Sequence, residues 1–172
     1  MSIEIREASS AQLTGIGPAL ADMLIETVHG GSPLGFLAPL ARDDALAYWR
    51  SLGTDLDAGR RVLLVAVDGD EIVGSGQLGL TQWSNGRHRA ELQKLLVRTE
   101  RRGEGVGRLL VTALHQAARQ RGRTLIMLDT RRGSTAERFY RGLGYRELGV
   151  VPGYAVGASG ERFDTVFFYT QL

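Results

Sequence analysis

The stretch RRGEGVGR, Arg101–Arg108, decides the fold, because three glycines at alternate positions between arginines narrow the choice of structure sharply. Glycine at every other place lets a backbone turn tightly and aim its N–H groups at something negative, most simply a phosphate. Before it lies RAELQKLLV, Arg89–Val97, which reads as a strand with Glu91, Gln93, Leu95 and Val97 expected on one face. Behind it Val106, Leu109, Leu110, Ala113, Leu114, Ala117 and Ala118 recur at the spacing of a helix buried on one side and stopped at Gly122. A glycine loop between strand and helix puts free N–H groups and the helix's positive end at one spot. A plain connecting turn accounts for one glycine, not for three flanked by arginines. A P-loop would end in Gly-Lys-Ser/Thr, which is absent. A dinucleotide fold would find its acid in Asp129, but its third glycine would fall on Arg108. It would also need the loop after the first strand, whereas several strands precede it here.

Working outward, Ile3–Arg6 reads as a short strand and Gln12–Val28 as a helix, broken by the glycines and proline of HGGSPLGF, His29–Phe36. Asp43–Leu52 is a second helix, with a short helical turn to Gly59. RVLLVAVDGDEIVGSGQLGLT is two strands turned at Asp68-Gly69, and QWSNGRH connects them to the third strand of the meander. TLIML is an apolar strand ending in Asp129. STAE, Ser134–Glu137, is a capping box opening a helix with Phe139, Tyr140 and Leu143. YRELGVV and RFDTVFFYT are two last strands around a Pro/Gly/Ser-rich excursion. The expectation is an α/β (α+β) fold: a mixed, mostly antiparallel sheet of about seven strands, with four or so helices on both faces.

At 172 residues the chain suits one domain, 1–172. There is no cysteine, which excludes disulfides, thiolate metal sites and a cysteine nucleophile, and fits a cytoplasmic protein. No apolar run is long enough for a bilayer, and MSIEIREASS is too polar for a signal peptide. Arg119–Arg141 holds seven arginines against two acids, which could face nucleic acid. Lys94 is the only lysine, so a bias towards arginine on solvated faces accounts for this better, and no nucleic-acid partner is expected. His88 and His115 lack ligand-like spacing, His115 reads as solvated on its helix, and no metal site is expected.

Arg102-Gly-Glu-Gly105-Val-Gly107 resembles the (Q/R)-x-x-G-x-(G/A) signature of the GNAT acetyltransferases, and FYRGLGY, Phe139–Tyr145, resembles their F-Y-x-x-x-G-(F/Y) helix end. The element order agrees over nearly the whole chain. ETVHGGSPLGF, NGRHRAELQKLLV, LDTRRGSTAERFYRGLGY and VPGYAVGASGERF are further similar to the tabtoxin-resistance type within that family. The resemblance implies a sheet splayed in its middle and acetyl-CoA as co-substrate. The pyrophosphate would lie at Arg102, Gly103, Glu104, Gly105, Val106, Gly107 and Arg108, with the Glu104 side chain turned outward. The pantetheine arm would pair with Leu95, Leu96 and Val97 like an added strand.

Acetyl transfer to an amine needs a neutral amine, a donor for the oxyanion and a proton or hydrogen bond for the departing thiolate. Glu91 is the candidate base, or else a surface partner of Arg87 or Arg89. Asp129 could bind the ammonium or share the base role, or else cap the DTRRGS turn. Tyr140, matching the family's F-Y motif, is the candidate acid. His29, Phe36, Trp83 and Tyr154 lie in loops that the resemblance turns towards the acceptor, although His29 could instead be a structural hydrogen-bond donor. The implied partner is a small-molecule amine, an antibiotic or toxin-like amino acid, and an oligomer is compatible with the pattern. Acetylation of peptide amines and a non-catalytic acyl-CoA sensor are the alternatives.

Overall fold

Two turn signals fold the middle of the chain back on itself, and the rest of the sheet grows from that meander. In the computed structural model, residues 3–32 and 34–172 are described, so Pro33, one of the helix-breaking residues, lies outside them. The elements are β1 (Ile3–Glu7), α1 (Leu13–His29), α2 (Arg42–Ser51), the single turn α3 (Gly53–Asp57), β2 (Arg61–Asp68), β3 (Glu71–Leu80), β4 (Arg89–Val97), α4 (Val106–Gln120), β5 (Leu125–Arg131), α5 (Thr135–Gly142), β6 (Arg146–Val156) and β7 (Arg162–Gln171). The sheet runs β1-β2-β3-β4-β5-β7-β6, and only β4 and β5 pair in parallel.

The continuous apolar run of β2 has a physical reason: both of its faces are covered. Val62, Leu64 and Ala66 join the core under α4, with Leu110, Leu114, Ile126 and Phe168. Leu63, Val65 and Val67 join a second core under α1 and α2, with Leu20, Leu24 and the wholly buried Trp49. Helices therefore cover both faces, as the periodicities require.

Three readings of the sequence are corrected. First, β4 does not alternate without interruption. Gln93 stands opposite Gln77 and Leu96 opposite Ser75, so Lys94 and Leu95 together face the single Gly76, with Lys94 at φ +48°. This bulge inverts the side-chain pattern. Leu92 before it and Leu95 and Val97 after it turn to the α4 core, whereas Leu96 joins the α1/α2 core. Glu91 and Gln93 thus lie on the face opposite to Leu95 and Val97.

Second, β6 continues to Val156 through what reads as a loop. Pro152 is tolerated because β6 is an edge strand, and its register breaks between Val151 and Ala155. Third, His115 is half-buried, its Nε2 2.7 Å from the hydroxyl of the buried Tyr145. The helical face that carries His115 meets the chain just after α5, a tertiary contact that periodicity alone does not reveal.

Burial holds the His115 imidazole below its ordinary pKa, and Arg119 adds to the depression. The fold therefore favours the neutral ring. That contribution is complete above the unfolded value of about 6.5 and is lost as pH falls from there towards the lower folded value. Thermal melts between about pH 7.5 and pH 5 are expected to lose stability more steeply in the wild type than in His115→Gln. Parallel curves would show that the ring carries no such linkage.

Candidate active site

Parallel pairing of β4 with β5 covers Arg89–Leu125, Ala90–Ile126 and Glu91–Met127 and then stops, although β4 runs on to Val97 and β5 to Arg131. Past Glu91 the two strands part, and the β5-side backbone groups of β4 face a gap. Residues directly paired across a sheet point to the same face. Glu91 and Met127 therefore share one face, and Asp129, two residues on, joins them. Phe167 stands opposite Asp129 on β7, and the Tyr154 ring meets Phe167 edge-on at 5.2 Å between centroids. This is the α1/α2 face of the sheet.

The glycine loop stands at the far end of the gap. Gly103 and Gly105 have φ of +84° and +87°, the left-handed region that glycine enters without strain. Gly107 serves differently: a Cβ there would lie 3.2 Å from Phe139 Cζ and crowd the ring that α5 brings against α4. Gly105 caps α4 without any side-chain cap, and among the described residues the N–H groups of 103–108 find no backbone acceptor. Unclaimed N–H groups at a helix N-terminus form an anion site. Glu104 does not oppose it, because Arg101 Nε draws its carboxylate aside at 2.8 Å. Arg101 also binds Asp68 at 2.8 Å and so ties the loop to the β2–β3 turn. Arg102 and Arg108 are exposed, and Arg102 Nε donates to the Val97 carbonyl at 3.3 Å.

Glu91 is exposed and, among the described residues, forms no ion pair with Arg87 or Arg89. Among the described residues Asp129 makes no capping hydrogen bond to its turn either. Ser134 Oγ accepts from Glu137 N at 3.1 Å and Glu137 Oε2 accepts from Gly133 N at 2.6 Å, so α5 is capped without it. Desolvation raises the Asp129 pKa, Glu91 raises it further, and Lys94 opposes them. Tyr140 belongs to the α4-side core and is buried. Burial, then the charge of Asp129, pushes its phenol up, so the two groups lie within electrostatic reach of each other. Tyr140 packs edge-on against Phe139 and Tyr145, at 5.3 and 5.5 Å.

The four residues expected near the acceptor separate. Phe36 stands edge-on to Tyr48 at 5.2 Å, with the Lys94 ammonium beside both rings. Tyr154 reaches the Asp129 neighbourhood through Phe167. His29 Nε2 accepts from Leu40 N at 3.0 Å, so it braces the α1–α2 connection as an acceptor, not as a donor. Trp83 lies in the β3–β4 connection, at the end where β4 and β5 are still paired, away from the gap. The sequence reading passed over Lys94, Arg61 and Gln77. Arg61 donates to Gln77 Oε1 at 2.9 Å and to Gln93 Oε1 at 2.7 Å. The signal that was there to be used was the single lysine in an arginine-rich chain. Among the described residues no cluster of three His, Cys, Asp or Glu side chains could hold a metal ion.

A mixed sheet thus parts beside a glycine-rich helix N-terminus that no side chain caps. Residues 59–147, just over half of the chain, match the acetyltransferase (GNAT) domain, and the chain belongs to that family. It is 33% identical over 87 residues to N-acetyltransferase 8B of Rattus norvegicus, a match covering 49% of this chain and 39% of that protein. The chain thus spans about two fifths of the length of this relative. A ribosomal-protein-alanine N-acetyltransferase from Brucella melitensis superposes with a TM-score of 0.79 at 23% identity, covering 98% of this chain and 99% of that one. The yncA protein of Salmonella typhimurium, solved with its cofactor acetyl-CoA, gives 0.77 at 20% identity, covering 100% and 95%.

Alanine at Gly105 would be forced into the left-handed region at a cost of roughly 1–2 kcal/mol. Gly105→Ala is expected to weaken coenzyme A binding about tenfold or more, measured by calorimetric titration. Unchanged affinity would remove the loop from the binding site.

Proposed function

We propose that this chain is an acetyl-CoA-dependent N-acetyltransferase that moves the acetyl group directly to the amine of a small molecule. One observation carries the reading: the pairing of β4 with β5 stops at Glu91, and in the loop after β4 the N–H groups of 103–108 have no backbone acceptor among the described residues.

The N–H groups of 103–108, with Arg102 and Arg108, receive the pyrophosphate. The open edge of β4 at Leu95–Val97 pairs with the pantetheine arm as an added strand would. A β4 N–H donates to the thioester carbonyl and stabilises the oxyanion as the amine attacks. An alkylamine is protonated at neutral pH, its pKa being about 10. Glu91 and Asp129 hold the ammonium, and Asp129, whose pKa burial raises, takes its proton. As the new C–N bond forms and the C–S bond breaks, Tyr140 hydrogen-bonds the sulfur from the α4 side. Free thiols titrate at about 8.5, below a buried phenol, so Tyr140 works by donating a hydrogen bond more than by losing its proton. The bases and the phenol approach from opposite faces, and only a parted sheet lets them reach one reaction centre.

A small acceptor is favoured because the rings of Phe36 and Tyr154 stand on the two sides of the gap. The likeness of four stretches to the tabtoxin-resistance type supports an antibiotic or toxin-like amino acid, detoxified in the cytoplasm. A screen of thiol release from acetyl-CoA over amino acids, polyamines, aminoglycosides and peptides tests this. Turnover of peptides alone would transfer the reading to a peptide acetyltransferase, and no turnover at all to an acyl-CoA sensor.

Tyr140→Phe is expected to lower kcat by about 10–100-fold while leaving coenzyme A affinity within about twofold. Glu91→Gln and Asp129→Asn should lower kcat/KM, the double variant by about a hundredfold or more. Steady-state kinetics decide it, and full turnover in Tyr140→Phe would withdraw the phenol's role.

A further inference from the structure

Lys94 is the only lysine of the chain, and its surroundings are unusual for a lysine. It occupies the β4 bulge at φ +48°, a conformation rare for a residue with a side chain, and is half-buried. Its ammonium stands 5.7 Å from the centre of the Phe36 ring and 5.6 Å from that of Tyr48. A Cβ on Gly35 would lie 3.7 Å from it, so the α1–α2 connection closes over the cage. Among the described residues the Lys94 ammonium makes neither an ion pair nor a hydrogen bond. A partly desolvated cation without a directly bonded anion is costly, and aromatic faces stabilise it without using up its N–H donors.

The neighbouring groups are short of acceptors too. Gln77 is wholly buried, and its amide nitrogen has no partner among the described residues. Its oxygen is already taken by the Tyr48 hydroxyl at 3.2 Å and by Arg61 at 2.9 Å. The buried Ser75 hydroxyl, on the same face, is likewise unpartnered. Glu91 and Asp129 lie within electrostatic reach of Lys94, and their charges partly offset the lowering of its pKa by burial and Arg61. The site therefore holds both kinds of charge: carboxylates that attract an ammonium, and an ammonium whose own N–H donors are free for an anion.

We propose that Lys94 selects the acceptor: held by Phe36 and Tyr48 at the bulge, its ammonium receives the carboxylate of an amine that is also an acid. The acceptor is then a zwitterionic amino acid, and polyamines and aminoglycosides are excluded because they bring only positive charge to Lys94. This rests on the reading of the site as an amine acetyltransferase. A carboxamide of the same shape would leave the half-buried ammonium uncompensated and is expected to be a poor substrate.

The test compares free L-amino acids with their own carboxamides in the wild type, Lys94→Arg and Lys94→Gln. The wild type should prefer the acid at least tenfold in kcat/KM. Lys94→Gln should abolish the preference through KM, and Lys94→Arg should keep part of it. A second measurement does not need turnover or a folded variant. Lys94 carries the only ε-amine, so trace labelling of the wild type with acetic anhydride, without acetyl-CoA, reads its accessibility directly at one peptide. Free amino acids should protect it and carboxamides should not. Equal use of acids and amides, an unaltered preference in Lys94→Gln, or labelling indifferent to amino acids would overturn the proposal. Protection by acids without any acetyl transfer would uphold it and reject the acetyltransferase reading. Transfer to amines without acid preference would do the reverse.

Discussion

The architecture depends on a parallel contact only three residue pairs long, between Arg89–Glu91 of β4 and Leu125–Met127 of β5. These strands must join at one end and separate at the other. They can do so because each is secured on its far edge: β4 by antiparallel pairing with β3, and β5 by a full-length ladder with β7. The junction itself needs little strength. What fixes the angle of opening is the core beneath α4, which draws residues from both halves of the sheet, Val62 and Leu64 from one and Ile126 and Phe168 from the other. The core beneath α1 and α2 comes from the β1–β4 half alone. One face of the gap is therefore bridged and rigid, and the other is left free for an incoming molecule.

Most of this was legible in the sequence. The glycine loop, the two turns of the meander and FYRGLGY place the anion site, β4 and α5 in the right order, because turn residues and periodicity act locally. The bulge at Lys94 was not legible. A lysine at positive φ leaves no mark in composition, and strict alternation put Leu95 and Val97 on the face of Glu91. Trp83 shows a related limit: an aromatic residue in a loop shows no sign of which end of the sheet that loop occupies. His115 shows the same limit on a helix, where a neutral ring bound to Tyr145 and a solvated one have identical spacing.

The arginine bias has a structural meaning that composition did not show. Arg121 binds Glu7 and joins the end of α4 to β1, Arg132 approaches Asp164, and Arg141 bonds both Glu137 and Glu147. Arg123 donates to the carbonyls of Thr81 and Arg87 in the β3–β4 connection. Exposed pairs of this kind contribute about 0–1 kcal/mol each, so their effect is on alignment more than on stability. Arg101–Asp68 is less exposed than these, and it anchors the loop whose N–H groups must hold their direction.

The irregularity of β6 has a consequence beyond the cleft. An eleven-residue strand at the rim of a sheet, carrying the exposed Leu148, Val151, Tyr154 and Val156, would ordinarily be a template on which other chains could stack. Pro152 removes a donor from that rim, and the breaks in register around it spoil the even spacing that a docking strand would need. The same distortion that brings Tyr154 to Phe167 thereby keeps a long apolar margin from seeding fibrils, and a regularised β6 would give a protein harder to keep dispersed.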